Sequence, residues 1–273
     1  MRQKSPDGIH RDAAACPLIE NVDEHEYADV LGQYLGDGTV SPGPRGVFKL
    51  RITMCDAYPG IMAECADAIH AVMPANLVSA YQHRGQGCTE VMSHSKHWIC
   101  LIPQHGPGRK HLRSIVLEPG QERIALDRHP RQLLRGLIHS DGCRVINWVM
   151  GRDQDGPKRY TYPWYLFSNE SDDIRGIFVE ACHRVGAECR ANRRNSISVA
   201  RRDSVRLLDA FIGPKSYVPG AGLEPASPLG QCCLRASRLP ASPPGLWHHD
   251  STNALGGGSR TRQIPTRCVA APA

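Results

Sequence analysis

The sequence predicts an α+β fold of two pseudo-symmetric halves, each running helix, two strands, helix, two strands, helix, followed by a disordered C-terminal tail. Three observations predict it: a nine-residue string that recurs, further matches in the same order after each copy, and short alternating segments between helical ones. VLGQYLGDG (30–38) returns as LRGLIHSDG (134–142). Both copies carry an apolar helix-like run, Gly at the third position, a small residue at the seventh and a closing Asp-Gly. The two acids, Asp37 and Asp141, stand 104 positions apart (141 − 37). PGIMAEC (59–65) then matches RGIFVEAC (175–182), aligning Gly60 with Gly176 and Glu64 with Glu180, and GPGRKH matches IGPKS, aligning Lys110 with Lys215. A longer hairpin in the second half (145–164) and a longer later segment in the first account for the drift between matches.

Each element has a local reason. In the first half, 26–35 is the motif helix. Phe48, Leu50, Ile52 and Met54 alternate with Lys49, Arg51 and Thr53, so 48–54 is a strand with one apolar and one polar face. A helix over 61–72 and strands over 77–81 and 89–93 follow. In the second half, 132–139 is the motif helix, and 144–150 with 160–167 forms a hairpin. A helix over 172–185 opens on Asp capping signals, and a strand over 196–200 and a helix over 203–211 close the half. The repeats span 24–115 and 128–215 within one domain, 24–215, after an irregular polar extension, 1–23.

Composition narrows the function. The chain has 273 residues, 33 Lys+Arg against 27 Asp+Glu and a net charge of +6. Most of its cations are Arg, whose planar fork suits phosphates and base edges. No apolar run approaches the ~20 residues of a membrane span, and the N-terminus has no apolar signal core, so a cytoplasmic protein is expected. Eleven cysteines without a C-x-x-C pair read as reduced thiols rather than disulfides or a zinc site. Residues 216–273 shift to Pro, Gly, Ser and Ala, a composition that cannot offset its ordering entropy by burial and is expected to be disordered. GLEP and SRT in this tail are what the complement of a transfer-RNA T-arm encodes in two frames. The hypothesis of read-through over two tRNA genes expects deletion of 216–273 to leave folding and activity intact; lost folding would refute it.

The motif helices carry the chemistry. Gly32 and Gly36 sit four apart, as do Gly136 and Ser140, giving each helix a stripe of small residues for close packing. Side by side about a pseudo-twofold, both helices end at one level, with Gly38 and Gly142 expected as left-handed stops. Asp37 and Asp141 then meet at the negative ends of two helices, an unfavourable arrangement without a cation between them. Hard carboxylate oxygens select Mg²⁺ (or Mn²⁺), which keeps waters and takes phosphate oxygens, and metal-assisted phosphodiester hydrolysis follows.

The two strings resemble the paired motifs of LAGLIDADG homing endonucleases in their double-motif, single-chain form, with Asp37 and Asp141 at the acidic eighth position and Leu35 and His139 in place of the acid at the sixth. The resemblance covers 27–215. It implies αββαββα repeats with saddle-shaped sheets straddling double-stranded DNA, a divalent metal at the motif helix ends, and cleavage of both strands by a monomer, as in intron homing. One basic residue per repeat near the scissile phosphates is a further implication, and Lys110 and Lys215 are the candidates. DNA contacts are expected from Arg45, Lys49 and Arg51 in the first half. In the second they are expected from Arg144, Arg152, Lys158 and Arg159 of the hairpin and from Arg190, Arg193, Arg194 and Arg201 around the later strand pair. A non-cleaving transcriptional regulator on the same scaffold is the alternative, and an RNA-splicing cofactor a third reading.

Overall fold

The protein is described here by a computed structural model, which covers residues 19–154 and 156–213. The extension before residue 19, Lys215 and the tail lie outside the described residues. The first repeat comprises α1 (Glu24–Asp37), β1 (Gly38–Pro42), β2 (Phe48–Cys55), α2 (Pro59–Val72), β3 (Val78–His83), β4 (Cys88–Ser95) and α3 (Trp98–Leu101). A connection containing α4 (Pro119–Glu122) leads to α5 (Pro130–Asp141), β5 (Gly142–Asp153), β6 (Gly156–Ser168), α6 (Asp172–Val185), β7 (Arg190–Arg193), β8 (Ser196–Val199) and α7 (Arg202–Ile212). Both sheets are antiparallel, and their strand orders, β1-β2-β4-β3 and β5-β6-β8-β7, are the same. The expected repeat order is therefore present, with the last helix of the first repeat reduced to a single turn.

α1 starts where Asp23 Oδ1 accepts the Glu26 backbone N–H at 3.0 Å, and Glu24 and Glu26 place negative charge at the positive end of the helix. From Tyr27 to Leu35 every residue of α1 is buried, so it is a central helix. α5 is likewise buried along most of its length, and Leu133, Leu134, Leu137 and Ile138 join the core with Val30, Leu31 and Leu35. On the sheets, the burial alternation read from the sequence holds: Leu50, Ile52 and Met54 face the helices, while Lys49, Arg51 and Thr53 do not.

Two expectations are corrected. Gly38 (φ −87°, ψ 153°) and Gly142 (φ −110°, ψ 167°) are extended rather than left-handed. Glycine is needed there for space, since a Cβ would lie 2.4 Å from Tyr34 Cα at Gly38 and 2.7 Å from Ile138 Cα at Gly142. The chain turns from helix straight into strand against its own last turn. Second, Gly60 and Gly176 do not hold equivalent places. The buried sets pair Ile61 with Ile174, Cys65 with Phe178, Ala68 with Ala181 and Ile69 with Cys182, nearly one turn away from the sequence match. A helix repeats its apolar spacing every three to four residues, so a short match slides by a turn without changing its appearance. The bonds Asp56 N–H to Gly87 O (3.1 Å) and Asn169 N–H to Asn195 O (3.0 Å) support the new alignment, making Asp56 and Asn169 equivalent.

Candidate active site

The site begins with the contact between α1 and α5. A Cβ on Gly136 would stand 2.2 Å from the Asp29 carbonyl oxygen and 2.8 Å from the Gln33 nitrogen; one on Gly32 would stand 2.4 Å from the Leu133 carbonyl oxygen. The two backbones touch where these glycines meet. One turn later a Cβ on Gly36 would lie 2.2 Å from Ser140 Oγ and 3.2 Å from Asp141 Cγ. The Asp141 carboxyl group thus rests against the residue that precedes Asp37. Ser140 fits because its hydroxyl folds back to the carbonyls of Gly136 and Leu137, each at 3.0 Å. All four small residues singled out by the sequence lie in this interface, and both motif acids close their helices beside it.

Lys110 arrives at the same place from the connection after α3. Its Nζ donates to the carbonyls of Tyr34, Leu35 (3.0 Å) and Gly36 (2.6 Å), the last turn of α1, and lies 4.8 Å over the Tyr34 ring. Burial lowers its pKa to about 8, against the opposing pull of Asp141 and then Asp37. Its bond to the Gly36 carbonyl puts the amine one residue before Asp37. The loop carrying Lys110 is held by Arg113, whose guanidinium donates to the carbonyls of Gly106 (2.6 Å), Pro107 (3.2 Å), Gly108 (3.3 Å) and Gln104 (2.9 Å).

The acids differ in support. Asn169 Nδ2 donates to Asp141 Oδ2 at 2.5 Å, and Asn169 is itself fixed by the Ser171 backbone N–H (2.8 Å) and by Arg175 on its carbonyl. Its counterpart Asp56 instead accepts from Thr89 Oγ1 (2.7 Å) and Gln82 Nε2 (3.0 Å). Asp37 borders a small cavity of about 10 Å³ together with Gln33, Thr53, Tyr58 and His139, room for a single water. At the motif's sixth position Leu35 is core, and His139 Nε2 meets the Ile212 carbonyl oxygen at 3.1 Å, tying α5 to α7. Both departures from the acid serve packing.

Among the described residues no three His, Cys, Asp or Glu side chains converge to hold an ion. The donor set is two carboxylates at adjoining helix ends with a lysine beside them. This fits magnesium or manganese, which take one or two carboxylates, waters and substrate phosphates, and does not fit an ion caged by protein alone.

The predicted DNA contacts divide by strand register. Lys49 and Arg51 lie on the sheet face away from the helices, with Arg51 3.6 Å from Glu90. Arg45 is exposed in the turn before them, at φ 59°. On the second sheet, register puts Lys158, Arg190 and Arg193 on the corresponding face; Arg194 follows in the turn. Arg152 and Arg159 stand on the other face of the hairpin, and Arg201 pairs with Glu188. Arg144 is brought to the helix side, not to the outer face. It grips Asp209 of α7 at 2.7 and 3.0 Å and Tyr165 donates to the same carboxylate at 2.7 Å, because Arg144 stands opposite buried Tyr165 in the register. Alternation read from the sequence was ambiguous in this strand, where polar and apolar residues do not separate. Asn169 and Arg113 were not foreseen. Neither lies in a repeated string, and each is recognisable only by the group it holds.

No family model and no curated protein matches the chain. Solved structures similar to it include the LAGLIDADG meganuclease I-AabMI bound to uncleaved DNA, at 10% identity over 68% of this chain and 82% of that one, with a TM-score of 0.44. The homing endonuclease I-DmoI in complex with DNA and Mn is 11% identical over 70% and 98% of the two chains (TM-score 0.43). I-WcaI, bound to its DNA recognition sequence, is 12% identical over 74% and 91% (TM-score 0.43). The resemblance of this chain is to the LAGLIDADG homing endonucleases in their double-motif, single-chain form.

Proposed function

We propose that the chain is a site-specific endonuclease that hydrolyses both strands of double-stranded DNA, acting as a monomer with one motif acid from each repeat. The observation that carries this reading is the glycine-mediated packing of α1 on α5, which sets Asp141 Cγ against Gly36 and so next to Asp37. Asp37 and Asp141 would hold Mg²⁺ or Mn²⁺, and the chemistry supplied there would be activation of a water and neutralisation of charge on a leaving oxygen.

The remaining work falls to the chain's own residues. Asn169 fixes the Asp141 carboxylate by donating to Oδ2. Lys110 keeps an amine at the end of α1 beside both acids, where it meets the charge of a scissile phosphate; Lys215 is assigned the same part for the other strand. Lys49, Arg51, Arg190, Arg193 and Arg194 bind phosphates along the outer sheet faces, with Arg45 at one edge, fixing the duplex over the helix ends.

The test is incubation of the purified full chain with a randomised duplex library and Mg²⁺, followed by mapping of double-strand ends. Defined ends that vanish in Asp37→Asn and Asp141→Asn are expected. Salt-sensitive binding by the unmutated chain without any cleavage would overturn the nuclease and leave a regulator.

A further inference from the structure

Cys55 closes β2 and Cys88 opens β4, and the strand register sets them directly opposite each other. One residue beyond the pair on each strand, the Asp56 backbone N–H donates to the Gly87 carbonyl oxygen at 3.1 Å. That bond marks Cys55 and Cys88 as a non-hydrogen-bonded pair, the narrow type, with Cα atoms about 4.5 Å apart and both side chains on one face. A disulfide needs Cα atoms roughly 4.4–6.8 Å apart, so the backbone already meets its requirement. Both residues are thiols in this structure.

The pair lies beside the motif acid. Cys55 continues the alternation of Lys49, Arg51 and Thr53 on the outer sheet face. Gly38, which follows Asp37, stands opposite Ile52, so Cys55 is three residues further along β2 (55 − 52), and it borders the cavity that Asp37 also borders. Cys55 is half-buried, whereas Cys88 is 3% exposed. Burial raises the Cys88 thiol pKa, and the charges of Asp56 and Glu90 act in the same direction. Cys55 is therefore the thiol that a reagent meets first.

Packing does not call for sulfur here. The equivalent positions of the second repeat are Ser168 and Ser196, opposite each other in register, with the Asn169 N–H on the Asn195 carbonyl oxygen one residue further on. Their burial is the same: Ser168 is half-buried and Ser196 is 3% exposed. One backbone setting thus takes hydroxyls in one repeat and thiols in the other. What cysteine adds to serine is redox chemistry.

We propose that Cys55 and Cys88 are a reactive dithiol, which closes to a reversible disulfide on the DNA-free protein and is shielded by bound DNA. The co-reactant is a small-molecule disulfide such as glutathione disulfide. The Cys55 thiolate attacks one of its sulfurs, breaking that S–S bond; one glutathione leaves as a thiolate and takes up the proton that Cys55 lost. Cys88 Sγ then attacks Cys55 Sγ in the mixed disulfide and expels the second glutathione, which takes the Cys88 proton. Two protein thiols are oxidised and one disulfide is reduced to two thiols. The shielding rests on the endonuclease reading above, which lays DNA on the outer faces; the dithiol chemistry does not.

The experiment incubates the reduced full chain with glutathione disulfide, caps remaining thiols with iodoacetamide and maps the peptides by mass spectrometry. A Cys55–Cys88 link that dithiothreitol reverses is expected. Cys88→Ser, which installs the residue of the second repeat, is expected to melt like the parent and to retain glutathione on Cys55; Cys55→Ser is expected to form neither link nor adduct at this pair. Duplex DNA at low salt, in excess over its dissociation constant, is expected to slow linkage ~10-fold. Both thiols recovered capped, or a link confined to Cys182 and Cys189, whose thiols also hydrogen-bond to each other, would overturn the dithiol. Linkage at an unchanged rate beneath duplex that demonstrably binds would overturn the shielding, and with it the outer face as the DNA surface. Mapping of the unmutated chain needs no variant, so a misfolded mutant leaves the proposal open to refutation.

Discussion

In the first repeat the hairpin after the motif helix is short, and the third helix is one turn long; the chain there runs on as a loop that brings Lys110 back to α1. The second repeat has a long projecting hairpin, an 11-residue α7, and an asparagine holding its motif acid. Where α1 meets α5 the repeats remain closely alike. The difference follows from what each region tolerates. Two backbones in contact leave no room for a methyl group, so Gly32 and Gly136 are constrained equally. A hairpin facing solvent or ligand can lengthen without disturbing a core. Symmetry is kept where sterics demand it and lost where they do not.

If the motif acids remain equivalent despite their different support, Asp37→Asn and Asp141→Asn should each reduce double-strand cleavage by about 10³-fold or more while leaving DNA binding nearly intact. Nicked product from one variant and not the other, on a gel resolving nicked from linear plasmid, would show that the two acids serve different strands unequally.

The interface glycines offer the next largest effect. Gly32→Ala or Gly136→Ala puts a methyl into opposing backbone and should destabilise the fold by about 3 kcal/mol in urea unfolding. Gly176→Ala, at a helical position with nothing within 4 Å, should stabilise by about 1 kcal/mol. Equal effects at the three sites would deny the close approach of α1 and α5.

Asp29 separates the two helices electrostatically. It is buried on α1, accepts from Gln33 at 2.5 Å, lies 3.4 Å from Arg135 of α5, and has no charged counterpart at Leu133. Burial raises its pKa from 3.8 to about 6. The folded state therefore holds its proton more tightly than the unfolded chain. That stabilisation is full below pH 4 and lost as pH rises to 6, by roughly 3 kcal/mol. Asp29→Asn should flatten the unfolding free energy across that window; an unchanged slope would mean that Asp29 ionises as freely folded as unfolded.

A smaller effect tests the unequal support of the acids. Asn169→Ala should lower cleavage by about 10- to 100-fold with little change in binding, as loss of an orienting group does. The equivalent Asp56→Ala should act on stability through Thr89 and Gln82 and leave turnover per folded molecule unaltered. Equal losses of turnover would erase the distinction.

Much of this was legible in the sequence because it is local or repeated. The Asp-Gly strings located both motif helices, and the alternation of 48–54 oriented β2. The turn-scale misalignment of α2 with α6, the extended geometry at Gly38 and Gly142, and the inward course of Arg144 were not legible. Periodicity fixes a helix face only to within a turn, and glycine marks a steric need without saying whether torsion or space creates it.

The sequence by itself determined that there are two equivalent helices, that small residues line one face of each, and that each ends in an acid. Tertiary structure alone decided that those faces meet, that Asp141 rests on Gly36, that Asn169 holds one acid and not the other, and that one hairpin outgrows its sheet. The reason is physical: spacing along the chain sets which groups share a face, whereas contact between faces far apart in sequence depends on how the whole core packs.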